Sequence, residues 1–242
     1  MSKTEDMMIE TAGRLRQEVD ALSFASPVSH VYNPLSYAWK PHEQYIRRYA
    51  RSSKRVLFIG MNPGPWGMAQ CGIPFGEIQL VRDWLGITGR IDHPIPEHPK
   101  RPVHGFDCTR SEVSGRRLWG LFRDRFGTAD AFFEDHFVAN YCPLVFMEES
   151  GRNRTPDKIS GHETVTLYAA CDRALEETVS ALRVKWVVGV GKFAGKCASR
   201  VFADSPGITT ADILHPSPAS PAANRDWSGA ATKRLRELGL WT

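Results

Sequence analysis

Four side chains in this sequence have types and positions suited to chemistry on a flat heteroaromatic ring: Asn62, Phe75, Asn140 and His215. Asn62 is the only strongly polar side chain in the turn after one apolar run, and Asn140 ends a second. His215 opens a Pro-rich loop after a third, and Phe75 closes the Gly- and Pro-rich loop that Asn62 begins. Two carboxamides, an imidazole, an aromatic plate and no carboxylate make an unusual set. No Ser-His-Asp arrangement fits these loops, which disfavours acyl transfer. No paired Asp or Glu marks carbohydrate glycosidase chemistry.

A planar heterocycle suits the set. Phe75 can stack on its face, a contact worth roughly 1–3 kcal/mol per base. A carboxamide presents a donor beside an acceptor, so it can give a hydrogen bond to a carbonyl oxygen and take one from a ring N–H. Uracil offers that pair at O4 and N3–H, and cytosine offers the reverse. A freely turning amide would accept either, so discrimination requires neighbours that hold Asn140 in one orientation.

The elements that must position these groups follow from patterning. Residues 55–60, Arg-Val-Leu-Phe-Ile-Gly, read as a buried parallel strand. Further strands are expected over 136–141, 185–190 and 208–214, with Asn140 in the second and His215 just past the fourth. Helices are expected over 2–24, 41–50, 77–85, 160–182 and 227–238, from Lys192 onward, and from a Ser114 cap to Gly127. Residues 31–35 and 150–156 read as loops, and the prolines in 88–113 exclude helix and central strand. Strands alternating with helices predict an α/β fold, a three-layer α/β/α sandwich with a central, mainly parallel four-stranded sheet. One domain is expected over 1–242, with 1–53 a helical preface on the same core.

Bulk properties narrow the function. The 242 residues carry a net charge of +4, a mild lean toward an anionic partner. No apolar run approaches the ~18 residues of a membrane span, and the first 22 residues lack a signal-peptide core. The five cysteines contain no C-x-x-C, so neither a disulfide framework nor a zinc or iron–sulfur site is expected. His93, His98 and His104 lack a companion thiol or carboxylate at a familiar ligand spacing, so no metal is expected. The basic run Arg47, Arg48, Arg51, Lys54 and Arg55 reads first as a solvated face and second as a phosphate contact. Gly189-Val190-Gly191-Lys192-Phe193-Ala194 matches a dinucleotide-binding turn on paper. It falls on the third strand rather than the first, so a tight strand-to-helix turn is the plainer reading.

Longer blocks carry a resemblance. Gly60-Met61-Asn62-Pro63-Gly64-Pro65-Trp66-Gly67-Met68-Ala69-Gln70, Gly72-Ile73-Pro74-Phe75-Gly76-Glu77 and Ser111-Glu112-Val113-Ser114-Gly115 closely resemble the single-strand-selective monofunctional uracil-DNA glycosylases. So do Asn140-Tyr141-Cys142-Pro143-Leu144, Ser150-Gly151-Arg152-Asn153 and His215-Pro216-Ser217-Pro218, and the likeness runs from about residue 25 to the end. It implies a base-flipping DNA repair enzyme without cofactor or lyase activity, acting on single- and double-stranded DNA as a monomer in the cytoplasm or nucleus. Asn62 would hold the attacking water, and His215 would donate to O2 of the departing base. The Met61 N–H would be a second donor, and Phe75 and Asn140 would grip the ring. Gly64 stands where narrow-pocket relatives place a Tyr against C5, which implies room for hydroxymethyluracil.

The loop carrying Ser217, Pro218 and Ala219 would enter the duplex and hold it open, with Ser217, Arg152 and Lys233 as candidate phosphate contacts. Ala219 departs from the family pattern His-Pro-Ser-Pro-Arg, which removes the side chain that would fill the hole left by the flipped base. Arg225 is the expected substitute. The rival readings are a catalytically silent DNA-binding module and an NAD-dependent enzyme using residues 189–194.

Overall fold

The computed structural model describes residues 2–242. Its first helix α1 (Lys3–Asp20) is capped by Ser2 and buries Met8, Ala12, Leu15 and Val19 on one side. Strand β1 (His30–Tyr32) and the short helix α2 (Pro34–Tyr37) then occupy the stretch expected to be loop. Asn33 makes the switch possible, because its side chain accepts from the Leu35 N–H and starts α2. Helix α3 (Trp39–Tyr49) leads to β2 (Val56–Gly60), all five residues of which are buried. The long loop after β2 contains one helical turn, α4 (Met68–Cys71), before α5 (Ile78–Asp83).

Helix α6 (Val113–Phe126) is capped by Glu112 rather than Ser114, its carboxylate accepting from the Ser114 and Gly115 N–H groups. Next come α7 (Ala129–Asp135), unmarked in the sequence reading, and β3 (His136–Asn140). Strands β4 (Val145–Met147) and β5 (Asn153–Arg154) precede α8 (Glu163–Leu182). The chain closes with β6 (Trp186–Val190), α9 (Lys192–Val201), β7 (Thr209–Ile213) and α10 (Pro221–Glu237). Helix α10 begins six residues earlier than expected and kinks at Asp226, whose side chain caps the segment that follows.

The main sheet has the order β3-β2-β6-β7 with every pair parallel, and helices cover it, as expected for the α/β class. A second, antiparallel sheet β1-β4-β5 was not anticipated. Its strands have three, three and two residues, too short to show an alternation. Helix α1 packs against α8 and α3, so the N-terminal segment shares the core.

Three residues of the basic run are engaged near the amino end of β2, while Arg48 and Arg51 donate to the Gly86 and Arg47 carbonyls. Arg47 binds Glu5 and Glu43, Arg55 binds Asp135, and the Lys54 ammonium donates to the Phe133 carbonyl. These groups lie a strand's length from the carboxyl ends, so the phosphate-contact alternative finds no support.

Two buried histidines set a pH dependence. His42 lies against the Gly72 carbonyl and His136 against the Phe132 carbonyl, and burial pushes both down to about 4. The unfolded chain takes up these protons below about pH 6.5, while the folded one resists until about 4. Stability is therefore fully present above 6.5 and is lost as the pH falls toward 4. Urea midpoints at pH 7.5 and 5 should show a marked drop, smaller in a His136→Phe variant; equal midpoints would contradict the neutral burial of both rings.

Candidate active site

In this strand order the chain leaves β2 toward β3 and later returns across it to β6, so the topology reverses at β2. Ligands in open α/β sheets bind beyond the carboxyl ends at such a reversal. There the loops after β2, β3 and β7 line one open pocket, whose wall includes Met61, Asn62, Gly64, Phe75, Asn140, His215 and Ser217.

Register explains how two of these meet. Asn140 is paired with Gly60 across the parallel ladder. A Cβ on Gly60 would sit 2.6 and 2.7 Å from Phe75 ring carbons and closer still to Asn140 Oδ1. The missing side chain is therefore the space in which the amide oxygen and the aromatic edge converge. The Asn140 amide nitrogen lies 3.3 Å from Met68 Sδ. Sulfur accepts and oxygen does not donate, so this contact favours the orientation with the nitrogen toward Met68. Phe75 has φ 53°, a left-handed conformation uncommon for a non-glycine residue. Such a conformation costs about 1–3 kcal/mol and persists where the surroundings over-determine it.

Asn62 is also oriented. Its amide nitrogen donates to the Leu144 carbonyl at 2.9 Å, which commits the donor end to backbone and leaves Oδ1 as an acceptor. His215 lies with its ring centroid 6.3 Å from that of Phe75. Burial lowers its pKa from the usual histidine value, so the ring is neutral at pH 7. It rests on Gly191, where φ is 97° and a Cβ would come within 3.0 Å of His215 Cβ. The Gly189-x-Gly191 turn thus seats His215, and Gly189 lets α9 approach β6 closely. The dinucleotide-like pattern has this packing explanation.

The pocket is not free of carboxylates, which corrects one expectation. Glu112 lines it, with its oxygens turned to cap α6, and burial raises its pKa above the usual carboxylate value. From the same helix Arg117 reaches the His215 loop. It donates to the Pro216 carbonyl at 3.0 Å and to Asn224 Oδ1 at 2.9 Å. Asn224 in turn donates to the Pro218 carbonyl at 2.8 Å, so one guanidinium and one amide brace residues 216–218.

Of the other residues singled out from sequence, Pro218, Ala219, Arg152, Arg225 and Lys233 are exposed and lie outside the pocket wall. Asn153 and Thr155, just past Arg152, do line it. Among the described residues no cluster of His, Cys, Asp or Glu is arranged to hold a metal, and no helix is long and apolar enough to cross a membrane. His98 is instead buried, taking the Lys100 N–H on Nδ1, with Nε2 3.1 Å from the Glu148 carbonyl. All five cysteines are buried and unbridged.

The family model for the uracil DNA glycosylase superfamily matches residues 47–238. This chain belongs to that superfamily. Among curated proteins it is 51% identical over 233 residues to the single-strand selective monofunctional uracil-DNA glycosylase of Rattus norvegicus, covering 96% of this chain and 84% of the rat protein. Its counterpart from Bos taurus is 50% identical, covering 94% of this chain and 84% of its own length. The solved structure of Pedobacter heparinus SMUG2 aligns with a TM-score of 0.66 at 16% identity, over 95% of this chain and 97% of that one, a likeness of fold.

For this uracil-DNA glycosylase fold, residue-by-residue reading missed Pro63, Gly67, Met68, Glu112, Ser114, Asn153 and Thr155 as pocket residues. Six of the seven fall inside the family-like blocks Gly60–Gln70, 111–115 and 150–153 noted above, so block membership was the available signal. Thr155 carried none.

Proposed function

We propose that this protein is a monofunctional DNA glycosylase that hydrolyses the N-glycosidic bond of uracil, and of C5-oxidised uracils such as 5-hydroxymethyluracil, in DNA. The observation that carries the reading is the convergence of Asn62, Phe75, Asn140 and His215 on one pocket. The target base leaves the stack and enters this pocket, as chemistry on a base in DNA requires. Phe75 stacks on its face. Asn140 donates to O4 and accepts from N3–H, with Met68 behind the amide nitrogen to disfavour the cytosine-reading flip.

Cleavage begins at the C1′–N1 bond, whose electron pair passes into the ring toward O2. Neutral His215 donates a hydrogen bond to O2 as that charge grows, with the Met61 N–H as a second donor. An amide is no base near neutral pH, so Asn62 contributes position. Its free Oδ1 accepts a hydrogen from water and holds the water's lone pair toward C1′. The water oxygen bonds C1′, its proton leaves to solvent or the departing ring, and free uracil and an abasic site remain. The pocket wall contains no lysine, so no amine is placed to form a Schiff base.

We assign the loop that carries Pro218 and Ala219 to the wedge that keeps the duplex open, with Arg225 standing in for the absent arginine. Ser217, Arg152 and Lys233 are assigned to phosphates. The enzyme is taken to act as a monomer on both single- and double-stranded DNA.

Gly64 tests the pocket's width. Nothing lies within 4 Å of a Cβ added there, so space is open at this wall. Wild type should release both uracil and hydroxymethyluracil from oligonucleotides, with thymine poorly used because its methyl displaces a water without replacing its hydrogen bonds. Gly64→Tyr should cut hydroxymethyluracil release at least tenfold more than uracil release, measured as kcat/KM on both substrates. Equal losses would remove Gly64 from base selection, and no release of either base by wild type would leave a silent DNA-binding module.

A further inference from the structure

Trp66 is half-buried and lies in the chain between Gly64 and Gly67, both of which line the base pocket. The Arg110 guanidinium carbon lies 4.3 Å from the centre of that ring, and that of Arg101 lies 5.6 Å away. Arg101 is already engaged, donating to the Gly151 carbonyl. Arg110 is exposed and pairs with no carboxylate among the described residues, so a cation–π contact holds its charge in place without neutralising it. Behind Arg110 runs a separate groove, lined in part by Arg82, Phe106, Arg110 and Arg116. Arg116 is likewise exposed and unpaired among the described residues. Two acidic residues share the groove, and one of them, Glu77, is buried and turned inward to cap α5. The groove and the pocket meet along the start of α6, where Ser111 lines the groove and Glu112 the pocket.

An aromatic ring carrying an uncompensated arginine, followed by a groove with a second free arginine and a half-exposed phenylalanine, has the composition of a single-strand track. Cations follow the phosphates, and rings take bases without regard to sequence. We propose that Trp66, Arg110, Arg116 and Phe106 form a subsite for the DNA strand next to the extruded nucleotide, with Arg110 and Arg116 on successive phosphates and Phe106 stacking a neighbouring base. This deepens the glycosylase reading and rests on it. No second strand is needed to fill the subsite, so it supplies grip on unpaired DNA that does not depend on the wedge loop.

The test is binding of a fluorescent, uracil-free oligo-dT to the full chain, followed by anisotropy across a salt series. Uracil release by wild type is measured alongside. Each of Arg110→Ala and Arg116→Ala should lower the salt slope by about 0.7, the value for one phosphate on a single strand, and the double variant should bind roughly tenfold more weakly at physiological salt. Trp66→Leu and Phe106→Leu should weaken binding with the slope unchanged. Arg51→Ala removes an exposed charge near the amino end of β2 and should have no effect. Slopes for Arg110→Ala and Arg116→Ala equal to wild type, or an equal loss for Arg51→Ala, would overturn the subsite. So would a wild type that does not bind oligo-dT. Absence of uracil release with the binding pattern intact would instead strike the glycosylase reading alone.

Discussion

A His215→Leu variant is expected to release uracil about 10²–10³-fold more slowly than wild type at saturating substrate, the loss typical of one donor to a developing oxyanion. Leucine fills much of the same volume on Gly191 but has no N–H, so the change isolates the hydrogen bond from the packing. The effect should appear in kcat with KM little altered, because O2 becomes strongly charged only as the C1′–N1 bond breaks. His215→Gln, which keeps a donor, should recover part of the rate. Burial holds the imidazole neutral near pH 7, so the wild-type rate should be level above the ordinary histidine range and respond only in acid. Single-turnover assays of both variants between pH 5 and 8 decide the matter. A leucine variant within threefold of wild type would mean that O2 is stabilised by other groups.

Gly60→Ala should be nearly as damaging although Gly60 has no side chain to do chemistry. The added methyl would occupy the point where Asn140 Oδ1 and the Phe75 ring converge, so at least one must move. Displacement of a positioning group by about 1 Å commonly costs on the order of 10²-fold in rate. Crowding in a packed strand also carries a stability cost of about 1–3 kcal/mol. The expected result is a protein that still unfolds cooperatively, with kcat/KM for uracil down roughly a hundredfold. Gly60→Ala with wild-type kcat/KM would show that Asn140 and Phe75 need not meet there. A Gly191→Ala change should be less selective, because at φ 97° it strains the backbone as well as pressing on His215.

Much of this architecture is legible in the order of residues alone. Val56, Leu57, Phe58 and Ile59 are apolar without alternation because β2 is covered on both faces, and a continuous apolar run marks such a strand. The ends of these runs located Asn62, Asn140 and His215, and parallel strands deliver their carboxyl ends to one edge of a sheet. Local sequence was less informative where elements were short. Strands of two or three residues have no period to detect, so the antiparallel sheet stayed hidden, and α7 lay in a stretch that pattern alone left unmarked.

What the chain's order of residues determined was the set of elements, the polar groups at their ends and, through long matching blocks, the family. Only the folded arrangement decided which end of Asn62 is free, that Met68 lies behind the Asn140 amide, and that Glu112 faces the pocket. It also brought Arg117 onto Ser217, 100 positions further along the chain, in the loop after His215. The physical reason is range. Hydrophobic period and capping act over a few neighbouring residues, whereas the direction of a hydrogen bond or the need for a bare α-carbon depends on whatever distant segment is packed against it.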